Sequence, residues 1–254
     1  ALCREIDLVG GSAPQPLAAS TVFFGGGTPS LLSPAQVAQI LDKLREHIDF
    51  RACSEITLEA NPGTISLESL TGYREAGVNR LSLGMQSALS AELNLLERQH
   101  TPGDVPAAVA AARAAGFDNL SLDLIYGLPN QSVESWLVSL RAALALAPEH
   151  LSAYCLTVEE GTPLHGQVQS GAVPLPDEEI AAGQFEAALG ELAAAGFEQY
   201  EISNFAARRD GRLLTCQHNL TYWRNQTYIG FGAGAHGCAA QTRTANVNQV
   251  ADYI

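Results

Sequence analysis

The sequence is short of clustered cysteines, of positive charge and of long apolar runs. Its five cysteines, Cys3, Cys53, Cys155, Cys216 and Cys238, never fall within four residues of one another. That spacing excludes a local CxxC-type metal or redox site. Scattered free thiols suit a reducing cytosol, so a cytoplasmic location is expected. Lys and Arg number 14 against 27 Asp and Glu, giving a net charge of −13 and a pI of about 4.8. A duplex-binding protein carries a basic footprint, so nucleic acid is not an expected partner. No apolar run is long enough to span a bilayer, and no signal peptide is expected at the start.

What is present is an alternation of short apolar runs and helical patterns over 254 residues. Strands are predicted at 21–24, 55–60, 80–85, 119–126 and 150–158, with helices near 34–48, 67–76, 91–97, 104–115, 133–147 and 178–195. In the first long helix Val37, Ile40, Leu41, Leu44 and Ile48 share one face. Ser33, Pro34 and Gln36 supply its cap, first turn and capping box. Three stretches repeat one form: "REAGVNRLSLGMQS", "RAAGFDNLSLDLIYG" and "LAAAGFEQYEISNF". Each is a helical end, an Ala-Gly, an apolar residue, two polar residues and a strand. Gly77, Gly116 and Gly196 suit the left-handed position that closes a helix. Repeated helix–Gly–strand units imply a parallel sheet, either a barrel or a doubly wound sheet. The stretch 159–176 reads as turn chemistry, and the residues from 198 onward as an appended strand and loop region. The expected division is 1–197 and 198–254.

In parallel α/β folds ligands bind at the C-terminal strand ends. The first strand runs into Gly25-Gly26-Gly27-Thr28, the second into Glu59-Ala60-Asn61-Pro62 and the third into Gln86-Ser87. The fourth carries Asp123 in an apolar run, where a carboxylate is costly without a partner or ligand. The fifth carries Tyr154 and Thr157. Each has a plainer reading: a tight turn for the glycines, a helix cap for Glu59, a buried hydrogen-bond hub for Gln86, a solvated charge for Arg98. Together they suit a ligand with hydroxyls, a carboxylate and an amine.

The runs "VFFGGGTPSLL", "EITLEANPGT", "GVNRLSLGMQS", "LDLIYGLPNQS" and "YEISNFA" resemble the radical S-adenosylmethionine (SAM) family that contains oxygen-independent coproporphyrinogen dehydrogenase. The resemblance implies an α/β fold, a partial (β/α)6 barrel open on one side. It places Gly26, Gly27 and Thr28 at the methionine end of SAM and Glu59 beside the SAM held near the cluster. Gln86, Arg98 and Asp123 match positions that bind a second SAM-like ligand, and Thr157 an adenine contact. "HNLTYW" (218–223) resembles the HNxxYW signature of HemW-type haem chaperones, and "RQH" (98–100) their R-x-H form. This makes His218 the candidate haem contact; a lone histidine bonded within its own fold is the alternative. "GFGAGAHG" reads as a glycine-rich turn rather than a dinucleotide fingerprint, since no clear helix follows it.

The family's [4Fe-4S] cluster needs a CxxxCxxC motif, which is not among these residues. The resemblance places it upstream of Ala1. The chain is therefore expected to be a piece that lacks a first strand, the cluster loop and part of a C-terminal region, and to hold no cluster itself. The function implied is haem binding and delivery, with haem and haem-acceptor proteins as partners and a second copy of the chain as a further candidate. Oxidative decarboxylation of coproporphyrinogen III in porphyrin biosynthesis is the alternative, and a barrel enzyme for another ligand is a third reading.

Overall fold

A computed structural model describes all 254 residues. Five parallel strands form its centre: β1 (Thr21–Phe24), β2 (Glu55–Ala60), β3 (Arg80–Gln86), β4 (Leu120–Tyr126) and β5 (His150–Cys155). They neighbour one another in chain order. Beyond β5 the direction reverses. β6 (Phe197–Gln199) and β7 (Asn204–Arg209) form an antiparallel pair, β7 lies antiparallel to β5, and β8 (Arg212–Leu213) closes that side. The third helix–Gly–strand echo thus brings β6 in with the same direction as β5 but not beside it, because the antiparallel β7 is inserted between them. Only Tyr200–Ser203 separate β6 from β7, and a parallel partner needs a far longer crossover.

The strands alternate strictly. Ile56, Leu58 and Ala60, Leu81, Leu83 and Met85, and Leu120, Leu122 and Leu124 share one face and are buried in a single core. Helices α2 (Pro34–His47), α3 (Leu67–Ala76), α5 (Asp104–Ala114), α6 (Val133–Ala145) and α8 (Glu178–Ala194) cover that face, and α1 (Leu2–Ser12) packs on α2. Each fully buried leucine contributes roughly 1.5–3 kcal/mol relative to exposure. The other face is polar, and it is where the chemistry lies.

Local signals set the helix ends as their residues require. Ser33 Oγ accepts from the Gln36 amide at 3.3 Å, and Gln36 Oε1 accepts from the Ser33 amide at 2.8 Å. Gly77, Gly116 and Gly196 have φ of 113°, 86° and 81°, the left-handed conformation a side chain disfavours. Two seven-residue helices went unread in the sequence, besides the single turn Val250–Tyr253. Helix α7 (Pro163–Gln169) lies within the stretch read as turns, capped by Thr162 Oγ1. Gln217–Trp223 is helical within the stretch read as strand and loop. Neither buries an apolar stripe, so neither shows helical periodicity. The "GFGAGAHG" run is a turn that enters a strand at His236, with Gly230 packed so closely that a Cβ would lie 2.1 Å from the His236 carbonyl oxygen. No helix is long and apolar enough to cross a membrane.

Candidate functional site on the polar face of the sheet

Register carries the polar residues across the strands in rows. Glu59 of β2 pairs in register with Ser82 of β3, Ser82 with Ser121 of β4, and Ser121 with His150 of β5. One step toward the C-terminal ends, Gly84 aligns with Asp123, Asp123 with Ser152, and Ser152 with Asn204. One step the other way, Phe23 aligns with Thr57 and Thr57 with Arg80. Parallel strands in register place these side chains on one face.

The C-terminal end joins three of the sequence-predicted positions. The Gly26 amide donates to Glu59 Oε2 at 3.1 Å, tying the glycine turn to β2. Asp123 is held by Ser82, whose hydroxyl donates at 2.9 Å to Oδ2, and by Ser121, which donates at 3.2 Å to Oδ1. Gly26 and Gly27 have φ of 81° and 63° and are exposed, and a Cβ at either would meet nothing within 4 Å. Their main chain therefore faces open space. Gly25 differs: a Cβ there would lie 2.5 Å from the Phe23 ring and 3.2 Å from Glu59 Oε2. Its bareness lets ring and carboxylate pack together. Thr28 follows, half-buried, at the start of a 3-10 turn.

Gln86 is buried at the end of β3 with φ of 62°, where the register with β4 shifts. Its amide folds back over Gly84, 2.8 Å from where a Cβ would stand. Since Gly84 aligns with Asp123, Gln86 joins the Asp123 row. Arg98 and Thr157 lie further out. Arg98 is exposed beyond α4 (Ser90–Leu95) with no carboxylate partner, and Thr157 is exposed in the loop after β5. Two surface clefts lie elsewhere, one between α6 and the β6–β7 pair, one around Asn79 and Asn119 at the strand N-termini.

Burial raises both carboxyls. For Glu59 the Gly26 amide pulls back down and the Asp123 charge adds to the rise. For Asp123 the neighbouring serine hydroxyls and Arg80 oppose burial. Arg80 is 2 % exposed, and its Nε has no partner, as has Thr57 Oγ1 beside it. It is the one arginine of the five parallel strands, facing the Glu55 and Asp123 charges.

His218 sits apart from the glycine turn, on α9 (Gln217–Trp223), which lies against β1. Glu55 accepts the backbone N–H of Gln217 and His218, both at 2.9 Å, anchoring the helix start. The His218 ring stacks on Phe23 with centroids 5.0 Å apart. Both its nitrogens are engaged: Nδ1 with Thr21 Oγ1 at 2.9 Å, Nε2 with Tyr222 Oη at 2.8 Å. Burial lowers its pKa, so the imidazole is neutral near pH 7. Tyr222 and Trp223 are about half exposed beside it.

Sequence reasoning passed over Arg80, Ser82, Ser121, His150 and Ser152. The signal was there: "EITLEA", "RLSLGMQ", "LSLDLIY" and "HLSAYC" alternate polar with apolar, whereas parallel strands covered on both faces run apolar throughout.

Comparison with known proteins agrees with this architecture. The radical SAM superfamily matches residues 13–143. Heme chaperone HemW of Bacillus subtilis is 43% identical over 235 residues, 92% of this chain and 61% of that protein. Heme chaperone HemW of Escherichia coli is 46% identical over 217 residues, covering 85% and 55%. The mitochondrial radical S-adenosyl methionine domain-containing protein 1 of Mus musculus is 48% identical over 217 residues, covering 85% and 48%. The chain thus spans about half to two thirds of the length of these relatives. Among solved structures, coproporphyrinogen III oxidase (HemN) from Escherichia coli superposes with a TM-score of 0.82 at 25% identity, over 98% of this chain and 59% of that one. Parallel sheet, glycine turn and close relatives agree, and the chain belongs to the radical SAM superfamily as a HemW-like member.

Proposed function

We propose that this protein is a haem-binding chaperone that holds SAM at the C-terminal mouth of its sheet and delivers haem to acceptor proteins in the cytoplasm. The radical SAM family implies SAM and a [4Fe-4S] cluster. The residues present suit the first. Open main chain at Gly27 admits a carboxylate beside the Gly26 amide that Glu59 holds, and Glu59 and Asp123 accept from an ammonium or from ribose hydroxyls. Two carboxylates also favour a sulfonium cation. Thr28, Gln86, Arg98 and Thr157 complete the proposed contacts. Bound SAM supplies one-electron chemistry in this family only together with a reduced cluster.

The cysteines present do not suit the cluster. No three of the five come together, and Cys216 is buried against Glu55, which pushes its thiol up to about 11. Cluster ligation needs thiolates gathered at one place, and these five cysteines do not supply them.

One observation carries the haem reading: the "HNLTYW" run forms a helix that presents a neutral imidazole beside exposed Tyr222 and Trp223. Neutral imidazole is a common axial haem ligand. His218 Nε2 would hold a haem iron if it gave up its Tyr222 hydroxyl partner, and Thr21 on Nδ1 would keep the ring oriented. The relatives' printed name, heme chaperone, supports the same reading. Haem titration is expected to give a Soret shift that weakens about tenfold in affinity in His218→Ala, the order of one lost ligand bond. An unchanged titration removes His218 from the site.

The second reading, oxygen-independent decarboxylation of coproporphyrinogen III, is favoured by the superposition on the solved oxidase. In a form of the protein that also carries a cluster-binding CxxxCxxC segment, incubation with coproporphyrinogen III, SAM and a reductant separates the two, since protoporphyrinogen IX forms only under the second.

A further inference from the structure

A chain of hydrogen bonds, part-buried and centred on the buried His150, connects the Asp123 carboxylate to α9. Ser121 Oγ lies 3.2 Å from Asp123 Oδ1 and 2.8 Å from His150 Nδ1. His150 Nε2 lies 2.8 Å from Tyr200 Oη, and Tyr200 Oη lies 3.3 Å from Asn219 Nδ2. Asn219 is the second residue of the "HNLTYW" run.

The chemistry of its two ends fixes the direction of this chain. An ionised carboxylate only accepts, so the single hydroxyl proton of Ser121 goes to Asp123. His150 Nδ1 must then carry a proton and donate it to Ser121 Oγ. His150 is 1 % exposed and its pKa is held well below the usual value by burial and by Arg80, so the ring is neutral. With Nδ1 protonated, Nε2 is a lone pair and accepts from the Tyr200 hydroxyl. At the far end the Asn219 amide also contacts Glu201 Oε1 at 3.3 Å. A carboxylate requires the NH2 group there, which leaves the other N–H of Nδ2 for Tyr200 Oη. Every bond therefore points from α9 toward Asp123. Reversing the chain would leave the Tyr200 proton without an acceptor, because Asn219 Nδ2 offers none.

We infer that His150, Tyr200 and Asn219 are positioning residues that couple the seating of α9 to the acceptor state of Asp123. Seating of Asn219 fixes the Tyr200 proton on His150, this fixes the Nδ1–H tautomer, and the tautomer directs the Ser121 proton onto Asp123. Burial works against the ionised carboxylate, and the chain works for it. By linkage the effect is reciprocal: a ligand that donates to Asp123 stabilises α9, and displacement of α9 weakens that ligand. The coupling deepens the proposed function, since it assigns one of its two sites to Asp123 and the other to α9.

The test has two parts. Nitrogen-15 chemical shifts of His150 in the unmodified chain report the tautomer, and Nδ1–H is expected. An Nε2–H or protonated ring overturns the proposal. SAM affinity is then measured for Tyr200→Phe, Asn219→Ala and the double variant. Each single variant is expected to bind roughly 5-fold more weakly, the low end of site-to-site coupling, and the double variant no more weakly than either. Unchanged affinities, or losses that multiply, overturn the coupling. If the unmodified chain binds no SAM, the functional reading fails while the tautomer measurement still decides the direction of the chain.

Discussion

Glu59 and Asp123 share a mouth and both titrate above the ordinary carboxylate range. A cationic ligand favours their ionised forms. SAM affinity is therefore expected to climb with pH from ordinary carboxylate values through the raised ones and to level off above, as calorimetric titration across about pH 4 to 8 would show. Stability runs the opposite way. A carboxyl raised by folding binds its proton more tightly in the native state, so this contribution is fully present below the unfolded pKa and is lost as pH rises through the folded one. In Glu59→Gln the Gly26 contact keeps an acceptor while the charge goes. Its Tm is expected to fall less steeply with pH across that window, and its SAM affinity to drop about tenfold, the order of one charge-assisted bond. An unaltered pH slope would show that another group carries it. At this scale the sequence named Glu59, Gln86 and Asp123 because strand ends are where ligands bind. It left their supports unnamed: a serine in a strand has no fixed partner until register brings Asp123 beside it.

Among the elements, the glycine turn and α9 make opposite demands. Gly26 and Gly27 are in left-handed backbone with open space around an added Cβ. Alanine at either is expected to cost the backbone penalty alone, about 1–2 kcal/mol, read as a lower urea midpoint with an unchanged slope. Gly25→Ala instead drives a Cβ into the Phe23 ring and is expected to disturb the His218 stack on that ring, visible in the haem titration. Helix α9 is seven residues long and is held by Glu55, Thr21, Tyr200 and Glu201 rather than by an apolar face. That explains its invisibility in the sequence. Strands and long helices announce themselves by burial period, while α9 exists because side chains distant in the chain cap and clamp it. The caps of α2 and the closing glycines were legible because their causes are local.

For the whole molecule, the main sheet keeps an apolar face under helices and a polar face on its other side. Arg80 is the counter-charge that makes the second face tolerable. Arg80→Met leaves Glu55 and Asp123 without that charge and is expected to push the Asp123 carboxyl further up and to lower the urea midpoint. A neutral result would show that solvent, not Arg80, balances those carboxylates. The parallel architecture followed from the helix–Gly–strand repeats. The reversal after β5 did not, because a short connection forces an antiparallel return and the third repeat hides it. The polar mouth as a SAM site is the claim on which the functional account stands. Calorimetric titration of SAM into the unmodified chain, Glu59→Gln and Asp123→Asn tests it most directly. The account predicts saturable binding that both substitutions weaken about tenfold or more, the order of one charge-assisted bond. Absence of binding, or equal affinity in all three proteins, would contradict it.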